Sequence, residues 1–183
     1  MPLVTTLNKI RKHGPCESGW IKLLKHLNKT TADDEPLPFS VIVESNGFED
    51  ALWCCRSTPE YNKEWRLFTV KCARKVQHLM TDPRSIAAID VAERFANGEA
   101  TEEELAIAKI AGWDAVYAAY AATDTTAKNA ARAAAYAAGK DVINAAAEAA
   151  ADAAAKDVAE GAAWTAAAAR KEQKQLFLEI IGS

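Results

Sequence analysis

Glycine and proline are scarce, with eight and six in 183 residues. That scarcity disfavours disordered chains and β-rich folds, both of which consume turn residues. Long apolar runs are missing too. Alanine-rich stretches are broken by Asp, Lys, Glu and Asn, so no window of about 18 strongly apolar residues arises and no membrane span is expected. The N-terminus lacks the charged start and continuous apolar run of a signal peptide. A cytoplasmic protein with reduced thiols is therefore the expectation.

Catalytic signatures are equally thin. There are three histidines, His13, His26 and His78, and four cysteines, Cys16, Cys54, Cys55 and Cys72. None form a CxxC or HxxxH spacing, so no metal site is expected. Cys54 and Cys55 are adjacent, and on a helix their side chains diverge by about 100°. The cysteines read as small buried hydrophobes. No phosphate-binding glycine loop and no GxSxG are present. Asp33-Asp34-Glu35 fits a solvated loop, and Glu102-Glu103-Glu104 fits a helix start favoured by the dipole. Neither is spaced for a two-carboxylate mechanism. No enzyme activity and no cofactor are expected.

What the chain has is alanine. Residues 101–170 contain 32 alanines in 70 positions. Alanine is the best helix former and loses no side-chain entropy in a helix. It also buries little surface, so alanine-rich helices must approach closely to gain contact. This predicts an all-α fold, a bundle or array of helical hairpins with a close-packed C-terminal half. The aromatics Trp113, Tyr117, Tyr120, Tyr136 and Trp164 are expected as plugs at helix crossings or at a contact with the first domain. Two parts are expected, an N-terminal helical domain over 1–100 and alanine-rich hairpins over 101–183, packed as one unit. Thin helices gain apolar mass by self-association, so a homodimer through 101–181 is a further expectation.

The periodicity supplies the elements. Leu3, Leu7 and Ile10 mark a short helix or arm ended by His13-Gly14-Pro15. Trp20, Leu23, Leu24 and Leu27 have helical spacing, with Ser18 as a candidate cap. Phe39 to Val43 reads as a helix start, capped by Ser40, because no partner strand is evident. Residues 49–56 form a helix with Ala51, Leu52 and Cys55 inward. Residues 62–80 form another, carrying Trp65, Phe68, Cys72, Val76 and Leu79. Asp82-Pro83 starts a helix to 96 that buries Ala88, Val91, Ala92 and Phe95, with Asp90 and Arg94 as an i,i+4 pair. Thr101 and Glu104 form a capping box for a helix to about 122. Breaks follow at Thr123-Asp124-Thr125 and at Gly139. Asp141 starts a helix to about 156, and a last one spans about 157–181.

Charge is uneven. Residues 1–85 carry 13 Lys/Arg and 10 Asp/Glu, against 9 and 15 over 86–183. An acidic half suits a basic partner surface. Lys71, Arg74, Lys75 and His78 make a basic stripe. It is small for a nucleic-acid footprint, and an acidic partner, or the acidic half of the chain itself, is the better counterpart. Glu148 and Asp152 are the acidic candidates for partner contact.

Four segments carry a resemblance. They are Ala51-Leu52-Trp53-Cys54-Cys55-Arg56, the run from Arg66 to Met80, and Asp82-Pro83-Arg84-Ser85 followed by Ala92 to Thr101. With the alanine, Trp and Tyr tail, the chain over about residues 45–175 resembles an alanine-rich immunity-protein family of bacteria and phages (the Imm-5-like group). The resemblance implies an all-helical cytoplasmic protein that blocks a toxin by binding it. The expected function is thus a non-catalytic inhibitor of a protein target, as an immunity protein or a phage counter-defence factor. The alternative is a structural or nucleic-acid-associated helical protein.

Overall fold

A computed structural model describes residues 1–122, 124–139, 143–156 and 166–182. It is all-α, 76% helical, with a single two-strand sheet among the described residues. The helices are α1 (Leu7–Arg11), α2 (Glu17–His26), α3 (Phe39–Ser45), α4 (Phe48–Cys54), α5 (Asn62–Lys75), α6 (Pro83–Ala96), α7 (Glu102–Ala121), α8 (Thr125–Ala137), α9 (Ile143–Lys156) and α10 (Ala166–Ile181). Strand β1 (Val4–Thr5) pairs antiparallel with β2 (Leu37–Pro38), Val4 opposite Pro38 and Thr5 opposite Leu37. The chain divides into two compact units, Met1–Asn62 with Phe177–Ser183, and Lys63–Leu176. α5 and α6 thus group with the alanine helices, and the division falls at residue 62 where composition had placed it at 100.

The first unit is held by large side chains. Phe39, Ile42, Leu7, Ile10 and Phe177 are fully buried. Phe177 meets Phe39 and Phe48 edge-on, with ring centroids 6.3 and 5.7 Å away, the geometry that the ring quadrupole favours. The ladder missed from sequence is short but anchored. Leu3 donates its N–H to Ile181, and Phe39 donates to Leu3. Thr5 is buried and its hydroxyl lies 2.7 Å from that of Ser57, which in turn donates to the Cys54 carbonyl. With the Ser57 proton so used, Thr5 is the donor. Two paired residues per strand satisfy buried backbone groups that a helix start at 39 leaves over.

The second unit is built from alanine. Ala88 and Ala92 on α6, Ala115 on α7, Ala130, Ala133, Ala134 and Ala135 on α8, and Ala146 and Ala147 on α9 are buried. Its caps follow the sequence. Asp82 accepts from Arg84 N–H, and Pro83 occupies the first helical turn. Thr101 and Glu104 exchange both bonds of a capping box. Asp124 accepts from Ala127 N–H at the start of α8.

Several local expectations are corrected. Pro38, not Ser40, precedes α3, and Cys16 takes the cap position of α2 without a side-chain bond to the helix backbone. α5 stops at Lys75, and a tight 3₁₀ turn covers Gln77–Leu79. The Asp90–Arg94 pair does not form, because both ends find partners on other elements. Asp90 accepts from Arg74, and Arg94 donates to the Glu99 carbonyl and to Glu104. Val91 and Phe95 are half-buried. Thr123, Asp141, Trp164 and the expected helix start at 157 lie outside the described residues.

Candidate interaction surface

The basic stripe is largely consumed within its own unit. Arg74 donates to Asp90 at 2.7 Å, to Glu93 at 2.6 Å and to the Gln77 side chain at 2.8 Å. Lys75 pairs with Glu172. Lys71 is exposed on α5. His78 is exposed on the 3₁₀ turn, so the end of α5 at Lys75 takes it out of the helical register that made it part of the stripe. On α9, Glu148 is exposed and Asp152 half-buried. No described hydrogen bond or ion pair joins either to the stripe.

The residues the sequence reading missed lie on α7. This helix carries apolar residues on its outer as well as its inner side. Its inner face is Leu105, Ala108, Gly112, Ala115, Val116 and Ala119, all buried. Its outer face carries Ile107, Ile110, Tyr117 and Tyr120, which are 61, 64, 68 and 69% exposed. A helix hydrophobic all round is normally a buried one. Here four of the six large hydrophobics exposed among the described residues sit on one helix. Single exposed apolar side chains are ordinary, whereas a concentration of them marks an interaction site.

At about 100° per residue, Glu103, Ile107, Ile110, Asp114 and Tyr117 share one side of the helix. Glu103 and Asp114 are exposed, so acid sits within the apolar stripe. Beside it, Trp113 is half-buried and meets Tyr136 edge-on at 5.1 Å. The inner edge of Trp113 packs on Val116, Ala131 and Ala135. Lys128 lies 5.3 Å above the Tyr120 ring and Arg132 5.7 Å from Tyr136. These cations hold the ring orientations through the π faces.

Tyr117 and Tyr120 are therefore not the plugs that their spacing implied. Alanine and glycine on the inner face of α7 already reach the neighbouring helices, which leaves no gap for a large ring. The signal that points to the surface is present in the sequence: large apolar residues at 107, 110, 117 and 120 in addition to a complete small-residue face.

The thiols offer no chemistry of their own in this unit or at α4. Burial pushes Cys54 and Cys72 up to about 12, and Cys55 well above its ordinary range. Thiols so protonated are poor nucleophiles. Among the described residues no group of three metal-ligating side chains converges, and no helix is long and apolar enough to cross a membrane.

The fold and this surface define an all-α protein with an acid-flanked apolar helix face. Compared with family models, with curated proteins and with solved structures, the chain matches none.

Proposed function

We propose that this protein is a non-catalytic binding protein that inhibits a protein target, and that α7 supplies the contact. The observation that carries the reading is the exposure of Ile107, Ile110, Tyr117 and Tyr120 on one helix. Aromatic anchors with adjoining aliphatics are what interface cores use, and Tyr is enriched among residues that dominate binding energy. Glu103 and Asp114 place acid within the stripe of Ile107, Ile110 and Tyr117, which suits a partner whose apolar side chains are flanked by Lys or Arg. An immunity protein acting on a toxin, or a counter-defence factor acting on a host enzyme, works by such stoichiometric occlusion. The nucleic-acid alternative loses its support where Arg74 and Lys75 are already paired with carboxylates.

The test is capture from nuclease-treated host lysate with the wild type and the Ile110→Glu/Tyr117→Ala double variant in parallel. A protein retained in stoichiometric amount by the wild type and lost by the variant is expected, and that protein's activity should fall on adding the wild type. Retention by both forms, or no retained protein, overturns the assignment to α7.

A further inference from the structure

We propose that the first unit contains a binding site for a small organic ammonium ion, in a cavity of about 340 Å³ beside α2 and α4. That volume falls within the range of small-molecule sites, which are apolar with a few placed polar groups. Its walls include Leu23, Ile42, Trp20 and Trp53, and its polar groups include Asp50 and Asn46.

The polar end is preorganised. Asn46 donates from Nδ2 both to the Gly19 carbonyl and to Asp50 Oδ2, each at 2.8 Å, and its Oδ1 accepts from Ser45 at 2.8 Å. The amide is thereby used up in holding Asp50 in place. Asp50 accepts that one neutral hydrogen bond and has no ion-pair partner among the described residues. A half-buried carboxylate beside apolar walls can attract a cation placed against it.

Gly19 shows that the arrangement is built. It lies in the first turns of α2, where glycine weakens a helix relative to alanine. A methyl there would stand 3.0 Å from Asp50 Oδ2 and 3.0 Å from Cys16 Sγ. The glycine keeps open the space that the carboxylate occupies.

The indoles supply the rest of the recognition. A cation over an indole face is attracted by the ring quadrupole, and aromatic walls with a carboxylate recognise ammonium groups in water. The Arg56 guanidinium carbon lies 4.4 Å from the Trp53 ring centroid, so one face of that indole is already taken. An ammonium headgroup at Asp50 with its alkyl or aryl body against Leu23 and Ile42 matches the carboxylate and the apolar wall of the cavity. A neutral ligand of equal size leaves Asp50 without a charged partner.

The experiment is an NMR titration of the indole N–H signals, assigned through Trp20→Phe and Trp53→Phe. The probes are benzyltrimethylammonium and neutral N,N-dimethylbenzamide, which is of similar size. Saturable shifts at Trp20 and Trp53 are expected with the cation, at an affinity about tenfold above that of the amide, and Asp50→Asn should remove that advantage while leaving amide binding unchanged. Equal affinities for the two probes, unchanged cation binding in Asp50→Asn, or no saturable shift up to roughly 10 mM overturns the proposal. If Asp50→Asn loses its dispersed spectrum, the wild-type comparison of the two probes decides by itself.

Discussion

Gly112 on α7 faces Ala135 on α8 so closely that a Cβ on the glycine would lie 3.2 Å from the alanine Cα. The same atom would stand 3.3 Å from the Ala88 methyl on α6. Three helices thus meet at one glycine, and two of the neighbouring groups are backbone or a backbone-fixed methyl that cannot swing aside. Helix propensity alone favours Gly112→Ala by about 1 kcal/mol. Overpacking of a dense core costs about 1–3 kcal/mol. The packing term is the larger, so Gly112→Ala should leave the protein no more stable, and Gly112→Val should cost clearly more. Urea unfolding of both variants checks this; a rise in midpoint for Gly112→Ala would show that the helices part readily.

Arg66 closes the C-terminal end of α8. Its Nη1 donates to the Ala137 carbonyl at 2.8 Å and to the Gly139 carbonyl at 2.9 Å, and its guanidinium lies 5.1 Å from the Phe95 ring. The residue is 9% exposed. Carbonyls at a helix end need partners, and a cation there also meets the negative end of the dipole. Arg66→Ala should therefore destabilise by about 2–3 kcal/mol, the scale of lost charge-assisted bonds. Arg66→Lys should recover only part of this, because a lysine lacks the planar fork. Hydrogen exchange at the last turn of α8 should quicken in both variants. Unchanged protection there would separate Arg66 from the cap.

The alanine helices and their caps were legible because local rules sufficed. Thr101 with Glu104, and Asp82 with Pro83, carry their geometry in a few adjacent residues. The two-residue ladder was not legible, since Val4-Thr5 and Leu37-Pro38 are too short to show alternation and pair only through tertiary context. The Asp90–Arg94 pair failed for a related reason: i,i+4 spacing permits a weak contact, and Arg74 offers Asp90 a partner from another helix. The stripe Lys71, Arg74, Lys75 and His78 was visible as charge, and the acidic half of the chain was legible as its counterpart; which carboxylates meet Arg74 and Lys75, namely Asp90, Glu93 and Glu172, was not. On α7 the misreading ran the other way. Tyr117 and Tyr120 at helical spacing look like core until the small face at 108, 112, 115 and 119 is recognised as the packed one.

Trp113 and Tyr117 should consequently behave differently. Full burial of Trp113 would make its truncation cost about 3–5 kcal/mol. Half-buried against Tyr136, it should cost about 2–3 kcal/mol on replacement by alanine, with part of this from the edge-on ring pair. Tyr117→Ala should stay within about 0.5 kcal/mol of wild type, as surface substitutions do. Thermal or urea unfolding distinguishes the two. A large loss for Tyr117→Ala would place that ring in the core and remove it from the interaction surface.

The cysteines give a pH prediction. Cys54 and Cys72 have their folded-state pKa pushed to about 12 by burial, while unfolded thiols ionise near 8.5. Between those limits the unfolded state binds fewer protons, so stability must fall as pH rises. It is fully present below about pH 8.5 and is lost progressively toward pH 12. Unfolding midpoints measured from pH 7 to 10 should decline above about 8.5. Iodoacetamide at pH 8 should label one thiol per folded chain, the exposed Cys16, and the buried Cys54, Cys55 and Cys72 only after unfolding. Labelling of Cys72 at the rate of Cys16, read by peptide mass, would contradict its burial.

The acid on α7 also decides between a foreign partner and a second copy of this chain. In a two-fold dimer the same patch meets itself. Glu103 and Asp114, exposed on the same side as Ile110 and Tyr117, would then place two carboxylates from each copy in one drying interface. Like charges set against each other there cost several kcal/mol. Self-association through this face is thus opposed by the residues that would attract a basic target. Light scattering at roughly 50 µM, where any dimer tighter than that would be half formed or more, should give the 19.7 kDa mass of the single chain. Glu103→Lys/Asp114→Lys should weaken capture of the target and leave that mass unchanged. A dimer mass in the wild type, abolished by Ile110→Glu, would instead assign the face to a second copy and put the inhibitory contact elsewhere.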